Sequence, residues 1–186
     1  SGITIEDLVI EALRPADPRV SFSTNSVIVR DTAVNPIDGR LYVLLDNDLL
    51  HLDDQASKKI VDIELGINGT SLAIDEFENR LLIGTDDSRI LSRSLLDSSD
   101  LAELINWNGN NPVDAIAVDE YGVVWATTAC ELHHLELGQS AFVTTNFCTT
   151  DNPEIPTDIA VISNSVYIST SGSGVRVLDY SIDLTN

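Results

Sequence analysis

Apolar and polar positions follow one grammar four times along the chain. A short apolar run comes first: Thr32-Ala33-Val34-Asn35, Leu72-Ala73-Ile74-Asp75, Ile116-Ala117-Val118-Asp119 and Ile159-Ala160-Val161-Ile162. A turn follows, then a run led by an aromatic or aliphatic residue: Tyr42-Val43-Leu44-Leu45, Leu82-Ile83-Gly84-Thr85, Trp125-Ala126-Thr127-Thr128 and Tyr167-Ile168-Ser169-Thr170. A third run alternates in Leu50-His51-Leu52, Ile90-Leu91-Ser92, Leu132-His133-His134-Leu135 and Val175-Arg176-Val177-Leu178. A fourth closes three of the units: Ile60-Val61-Asp62-Ile63, Leu101-Ala102-Glu103-Leu104 and Phe142-Val143-Thr144. Short runs rich in β-formers, several with period two, predict strands. The turns Pro36-Ile37-Asp38-Gly39, Glu76-Phe77-Glu78-Asn79, Glu120-Tyr121-Gly122 and Ser163-Asn164-Ser165 carry residues that tolerate the positive φ of tight hairpins.

The alanine of each first run falls 40, 44 and 43 residues after the one before it. A unit of this period cannot bury its apolar face alone and must stack on its copies. Four antiparallel strands per unit make a propeller blade. The expected fold is all-β and propeller-like, four repeats of four strands over residues 32–186, either a closed four-blade ring or part of a larger propeller.

Residues 1–31 stand outside the repeat. Thr4 and Asp7 form a variant capping box, and Ile5, Leu8, Val9, Ala12 and Leu13 share a helical face before Pro15, so a short helix is expected, with a strand as the alternative. Val20-Ser21-Phe22-Ser23 stands where a strand would complete the last blade, whose own repeat ends without room for a fourth. The chain has no methionine, so it reads as an excised domain or a processed chain.

The segment Tyr121-Gly122-Val123-Val124-Trp125-Ala126-Thr127-Thr128 resembles the blade signature of two-component-regulator-type propellers. Ala33-Val34-Asn35-Pro36 through Leu41-Tyr42-Val43, ending in Ile63-Glu64-Leu65-Gly66, resembles the YVTN and NHL propeller repeats. The resemblance spans roughly residues 30–180 and implies the fold. Propellers host lectins, scaffolds, lactonases and lyases alike, so it is nearly silent on chemistry. Such families usually carry six to eight blades, whereas four are visible here.

Charge narrows the partners. Thirty acidic against ten basic side chains give a net charge of -20, which argues against nucleic acid and anionic membranes. No stretch approaches the ~20 apolar residues of a membrane helix. The acids form a solubilising coat, with cation binding or a basic partner as the sharper reading.

Blade grammar puts two sets of loops on one face, those between second and third strands and those leading to the next blade. That face collects Asp46, Asp86, Asp87, Trp107 and Asp151, the expected ligand- or partner-binding residues. Trp107 stacks on a ligand or packs over a blade edge. Asp114 and Asp158 begin inner strands near the mouth of the central channel, with Thr70 and Arg30 at matching positions. They are the candidate metal ligands, for calcium, with structural capping as the alternative. His51, His133 and His134 read as half-exposed strand residues, because adjacent strand positions point to opposite faces and cannot converge on zinc. No nucleophile elbow, phosphate loop or dinucleotide fingerprint occurs.

Cys130 and Cys148 end two strands of the third blade on the same side and are expected to form a disulfide, with two separate buried thiols as the alternative. That bond, with the sequon Asn68-Gly69-Thr70, points to an extracellular or periplasmic protein. The expected function is a non-enzymatic binding module for a protein or carbohydrate, with association to further blades among its partners. A calcium-dependent propeller hydrolase or lactonase and an architectural domain are the alternatives.

Overall fold

The computed structural model describes residues 28–46, 48–52, 60–96, 101–107, 109–136, 139, 141–147, 155–172 and 174–180, with backbone alone at 48–52 and 60–64. The expected helix before Pro15 and the strand around Phe22 lie outside these residues. The described chain is all-β. The first sheet joins β1 (Val29–Val34), β2 (Leu41–Leu45), β3 (Asp48–Leu52) and β4 (Ile60–Glu64). The second joins β5 (Gly69–Asp75), β6 (Arg80–Thr85), β7 (Arg89–Ser94) and β8 (Ala102–Asn106), and the third β9 (Val113–Val118), β10 (Val124–Thr128), β11 (Glu131–Leu135) and β12 (Val143–Asn146). The fourth has three strands, β13 (Pro156–Ile162), β14 (Ser165–Thr170) and β15 (Gly174–Asp179). Order within each sheet follows the chain, so every connection inside a blade is a hairpin.

The last sheet has three strands among the described residues, and the strand expected to complete it, around Phe22, lies outside them. The chain divides into two compact units, residues 1–69 and 70–186.

The last residue of each first run explains the hairpin after it. Asn35 Oδ1 accepts the Ile37 amide at 3.0 Å. Asp75 Oδ1 accepts the Phe77 and Glu78 amides, both at 3.1 Å, and Oδ2 accepts Arg80 Nε at 2.8 Å. Asp119 Oδ1 accepts the Tyr121 and Val123 amides at 2.9 Å, and Oδ2 accepts Trp125 Nε1 at 3.1 Å. All three are buried. A buried carboxylate is tolerated here because several donors replace its water. The fourth repeat has Ile162 in this place, exposed, and Ser163 adopts the positive φ of 53° in the turn. At the matching bend of the third repeat, Gly122 takes φ 79°.

Two apolar layers fill the C-terminal unit. Between the second and third sheets, Ala73, Leu82 and Ile90 pack with Val113, Ile116, Val124, Ala126 and Leu135. Between the third and fourth, Ala115, Val123, Trp125 and Leu132 pack with Ile159, Val166 and Ile168. Alternate residues of β10 thus serve opposite layers, as the period of a strand dictates. Neighbouring sheets cover both faces of the third sheet; the fully buried apolar members are aliphatic apart from Trp125, with Trp107 and Phe142 edging the first layer and Phe147 and Tyr180 the second.

Candidate functional site: the loop face of the blades

Backbone bonds build this face. In each case a loop after a second strand is tied to an inter-blade segment. The Trp107 amide donates to Ser88 O at 3.1 Å, and the Phe147 amide to Cys130 O at 3.0 Å. The Ser171 amide donates to Ile155 O at 3.0 Å, and in the N-terminal unit Asp46 N reaches Ile28 O at 3.2 Å. The Ser88 hydroxyl also donates to Asn111 O at 2.5 Å. The expected sharing of one side by the two loop sets is therefore met within each unit.

The carboxylates on this side fall into two kinds. Asp46 pairs with Arg30 Nε at 2.6 Å. Asp87 accepts from Arg89 through two guanidinium nitrogens, Nη2 at 2.7 Å and Nε at 2.9 Å, and from the Thr85 hydroxyl at 2.7 Å. The hydrogen bond from Arg89 holds the Asp87 carboxyl below the usual carboxylate range. Arg89 also lies 3.5 Å from Glu103. Asp86 is exposed beside this cluster, and Asp151 lies outside the described residues. Asp86, Asp87 and Arg89 of the β6–β7 hairpin and Glu103 of β8 thus form a mixed-charge patch.

Trp107 takes the packing arrangement. Its ring lies 4.3 Å from the His133 ring and meets Phe142 edge-on at 5.2 Å. It remains half-buried against the layer between the second and third sheets. His133 is itself buried, held between Thr128 Oγ1 at 2.8 Å and Thr144 Oγ1 at 2.9 Å. His134 points the other way, 5.0 Å from Trp125 and 4.9 Å from Tyr180. The opposite orientations match the strand argument, but the half-exposed state does not. Both rings sit inside layers, because the third sheet is covered on both faces. Burial pushes the His133 imidazole down to about 4 and lowers that of His134.

Asp114 and Asp158 are not equivalent. Asp114 is the extra residue of a β-bulge, since Thr127 pairs with Ala115 and Thr128 with Val113. The first sheet skips Arg30 in the same way, and the fourth skips Thr157. The true counterpart of Asp114 is therefore Thr157, one residue before Asp158, a register that spacing from the alanine anchors would have revealed. Asp114 Oδ2 accepts the Ala129 amide at 2.8 Å, and burial raises its carboxyl to about 6. Ala129 holds φ 48°, a conformation L-residues rarely adopt, and the carboxylate fixes it. Asp158 Oδ1 accepts the amide of Ile159 at 2.8 Å on an exposed strand face. Among the described residues no three His, Cys, Asp or Glu side chains group to hold a metal ion.

No protein-family model matches the chain, and no curated protein matches it in sequence. Solved structures do match in shape. The extracellular domain of a putative hybrid two-component system from B. thetaiotaomicron aligns over 87% of this chain and 22% of its own, at 16% identity and TM-score 0.67. PorZ, described as an essential bacterial surface component of the type-IX secretion system of Porphyromonas gingivalis, aligns over 87% of this chain and 21% of its own, at 15% identity and TM-score 0.58. The WD40 β-propeller domain of Doa1 aligns over 84% of this chain and 53% of its own, at 17% identity and TM-score 0.62. The fold is that of a β-propeller. The chain spans about a fifth of the first two of these proteins and about half of the third.

Proposed function

We propose that the protein is a non-enzymatic binding module working outside the cytoplasm, recognising a protein or glycan through its loop face. The observation that carries this reading is the patch on the β6–β7 hairpin. There Asp86 and Asp87 stand, Asp87 paired with Arg89, which also lies 3.5 Å from Glu103 of β8, on a loop tied down by the Ser88–Asn111 and Ser88–Trp107 bonds. Charged side chains on a rigid rim supply specificity with little ordering cost. Trp107 supports the rim by packing, and Asp46, paired with Arg30, is the corresponding loop carboxylate of the N-terminal unit taken by itself. Similarity in fold to an extracellular domain and a bacterial surface component supports the location.

A Cys130–Cys148 disulfide belongs to the same reading. Cys148 lies outside the described residues, but the Phe147 amide bonds the Cys130 carbonyl at 3.0 Å, which brings the neighbouring backbone alongside. Thiol counting on denatured, unreduced protein from an oxidising compartment should find no titratable thiol.

Binding to an array of glycans and bacterial surface proteins tests the main proposal. Asp86→Asn with Asp87→Asn should weaken every ligand found, and Asp38→Asn on the opposite turns should leave affinity unchanged. The reverse ranking would assign binding to the other face.

A further inference from the structure

The hairpin turns opposite the loop face carry side chains that the turn itself does not call for. In the β5–β6 turn the Phe77 amide donates to Asp75 Oδ1 at 3.1 Å, and in the β9–β10 turn the Tyr121 amide donates to Asp119 Oδ1 at 2.9 Å. The turn uses only the backbone of these two residues, and any residue but proline can supply the amide. Both positions nevertheless hold an aromatic ring, 49% exposed at Phe77 and 40% exposed at Tyr121.

One exposed ring alone would mean little. These two turns are neighbours within the compact unit of residues 70–186. A Cβ on Gly122 would lie 2.9 Å from Phe77 Cγ, so the root of the Phe77 ring rests on the residue that follows Tyr121. Part of Phe77 covers that glycine, and about half of the side chain still faces water.

Acid frames both rings. Glu76 and Glu78 flank Phe77, Glu120 precedes Tyr121, and all three are exposed. The charge of Glu120 and the hydrogen bond it shares with the phenol push the Tyr121 hydroxyl above its ordinary value, which sets that carboxylate against the ring. Arg80, the cation at the end of the first turn, is already held by the buried Asp75 at 2.8 Å. An aromatic face carries negative potential, and adjoining carboxylates deepen it. Arginine matches that combination, because its guanidinium stacks flat on a ring and bonds a carboxylate through its edge. Lysine is more strongly hydrated and cannot stack. The net charge of -20 draws basic chains and repels acidic ones.

We infer that the Phe77 and Tyr121 turns form a second interaction surface, which docks an arginine-bearing basic segment of a partner protein by stacking guanidinium groups on the two rings among Glu76, Glu78 and Glu120. This surface lies away from the loop face and does not depend on the ligand reading given for it.

Calorimetric titration with an acetylated, amidated peptide of alternating arginine and glycine is the test. The peptide should bind, and Phe77→Leu with Tyr121→Leu should weaken it roughly fivefold or more. Leucine keeps apolar cover over Gly122 and leaves the net charge unchanged, so the melting temperature should hold and neither packing nor bulk charge accounts for the loss. Glu76→Gln with Glu120→Gln should weaken binding to a similar degree. Asp86→Asn with Asp87→Asn removes the same charge from the loop face and should change affinity by less than about twofold. A lysine–glycine peptide of the same length should bind more weakly than the arginine one. Failure of the arginine peptide to bind overturns the proposal. So does affinity untouched by the leucine pair, or lowered as much by the loop-face pair as by the glutamate pair, since either leaves only general attraction to an acidic protein. Tetramethylammonium binding as tightly as the peptide, with the same loss in the leucine pair, would overturn it in favour of a small-cation site.

Discussion

The third and fourth blades share one hairpin grammar and differ in what surrounds it. The third is covered on both faces. Its Trp125 indole is pinned by Asp119 and wedged against His134 and Tyr180, at ring separations of 5.0 and 4.6 Å. The fourth has Tyr167 at the same register, half-buried, with Ile162 in place of the carboxylate and no fourth strand among its described residues. The difference shows that repeat sequence specifies the blade, while neighbours determine how much each residue contributes.

Substitution at paired positions tests that contrast most strongly at the aromatic residue. Trp125→Ala should destabilise the protein by about 3–5 kcal/mol, the usual cost of emptying a buried aromatic site. Tyr167→Ala should cost less than about half of that, since its site is half-open. Equal losses in denaturant melts would mean that the fourth blade is as well covered as the third. A smaller effect is expected from the hairpin carboxylate. Asp119→Ala strips two backbone amides and the buried Trp125 Nε1 of their acceptor, and should cost about 2–3 kcal/mol. Ile162→Ala, exposed at the equivalent place, should change stability by less than about 0.5 kcal/mol.

The seams can be probed with one methyl group. Gly84→Ala pushes a Cβ into Val113 and should cost about 1–3 kcal/mol. Gly172→Ala, where nothing lies within 4 Å, should be nearly neutral.

The pH dependence is subtler because two groups oppose each other. His133 has a folded value of about 4, below that of a free imidazole, so the unfolded chain takes up its proton first. Its stabilising share is present above about 6.5 and fades as pH falls toward 4. Asp114, raised to about 6, works the other way, favouring the fold at acid pH and losing that share as pH rises from about 4 to 6. Asp114→Asn should therefore make the acid-side loss of melting temperature steeper between pH 6.5 and 4. An unchanged slope would show that the Asp114 carboxyl titrates normally.

Much of this was legible from residue order. The Ala anchors and aromatic-led second runs located the inner three strands of each unit, because period-two patterns and turn residues act over a few positions. The same alignment contained the bulge register, with Arg30, Asp114 and Thr157 each three residues before an anchor. Asp158 lies two residues before Ala160, one position off the register of Asp114, so the shared carboxylate is not a shared place in the blade. The burial of Trp107, His133 and His134 is not legible in residue order, since local sequence does not say whether a second sheet or water covers a side chain.

Residue order alone dictates the repeat, the hairpins and the acidic charge, since each depends on local propensity and composition. Tertiary packing adds that Asp75 and Asp119 are buried hairpin organisers and that His133 and His134 face separate layers. Those properties depend on which sheet lies against which, and stacking is a relation between residues some forty positions apart that no local pattern encodes.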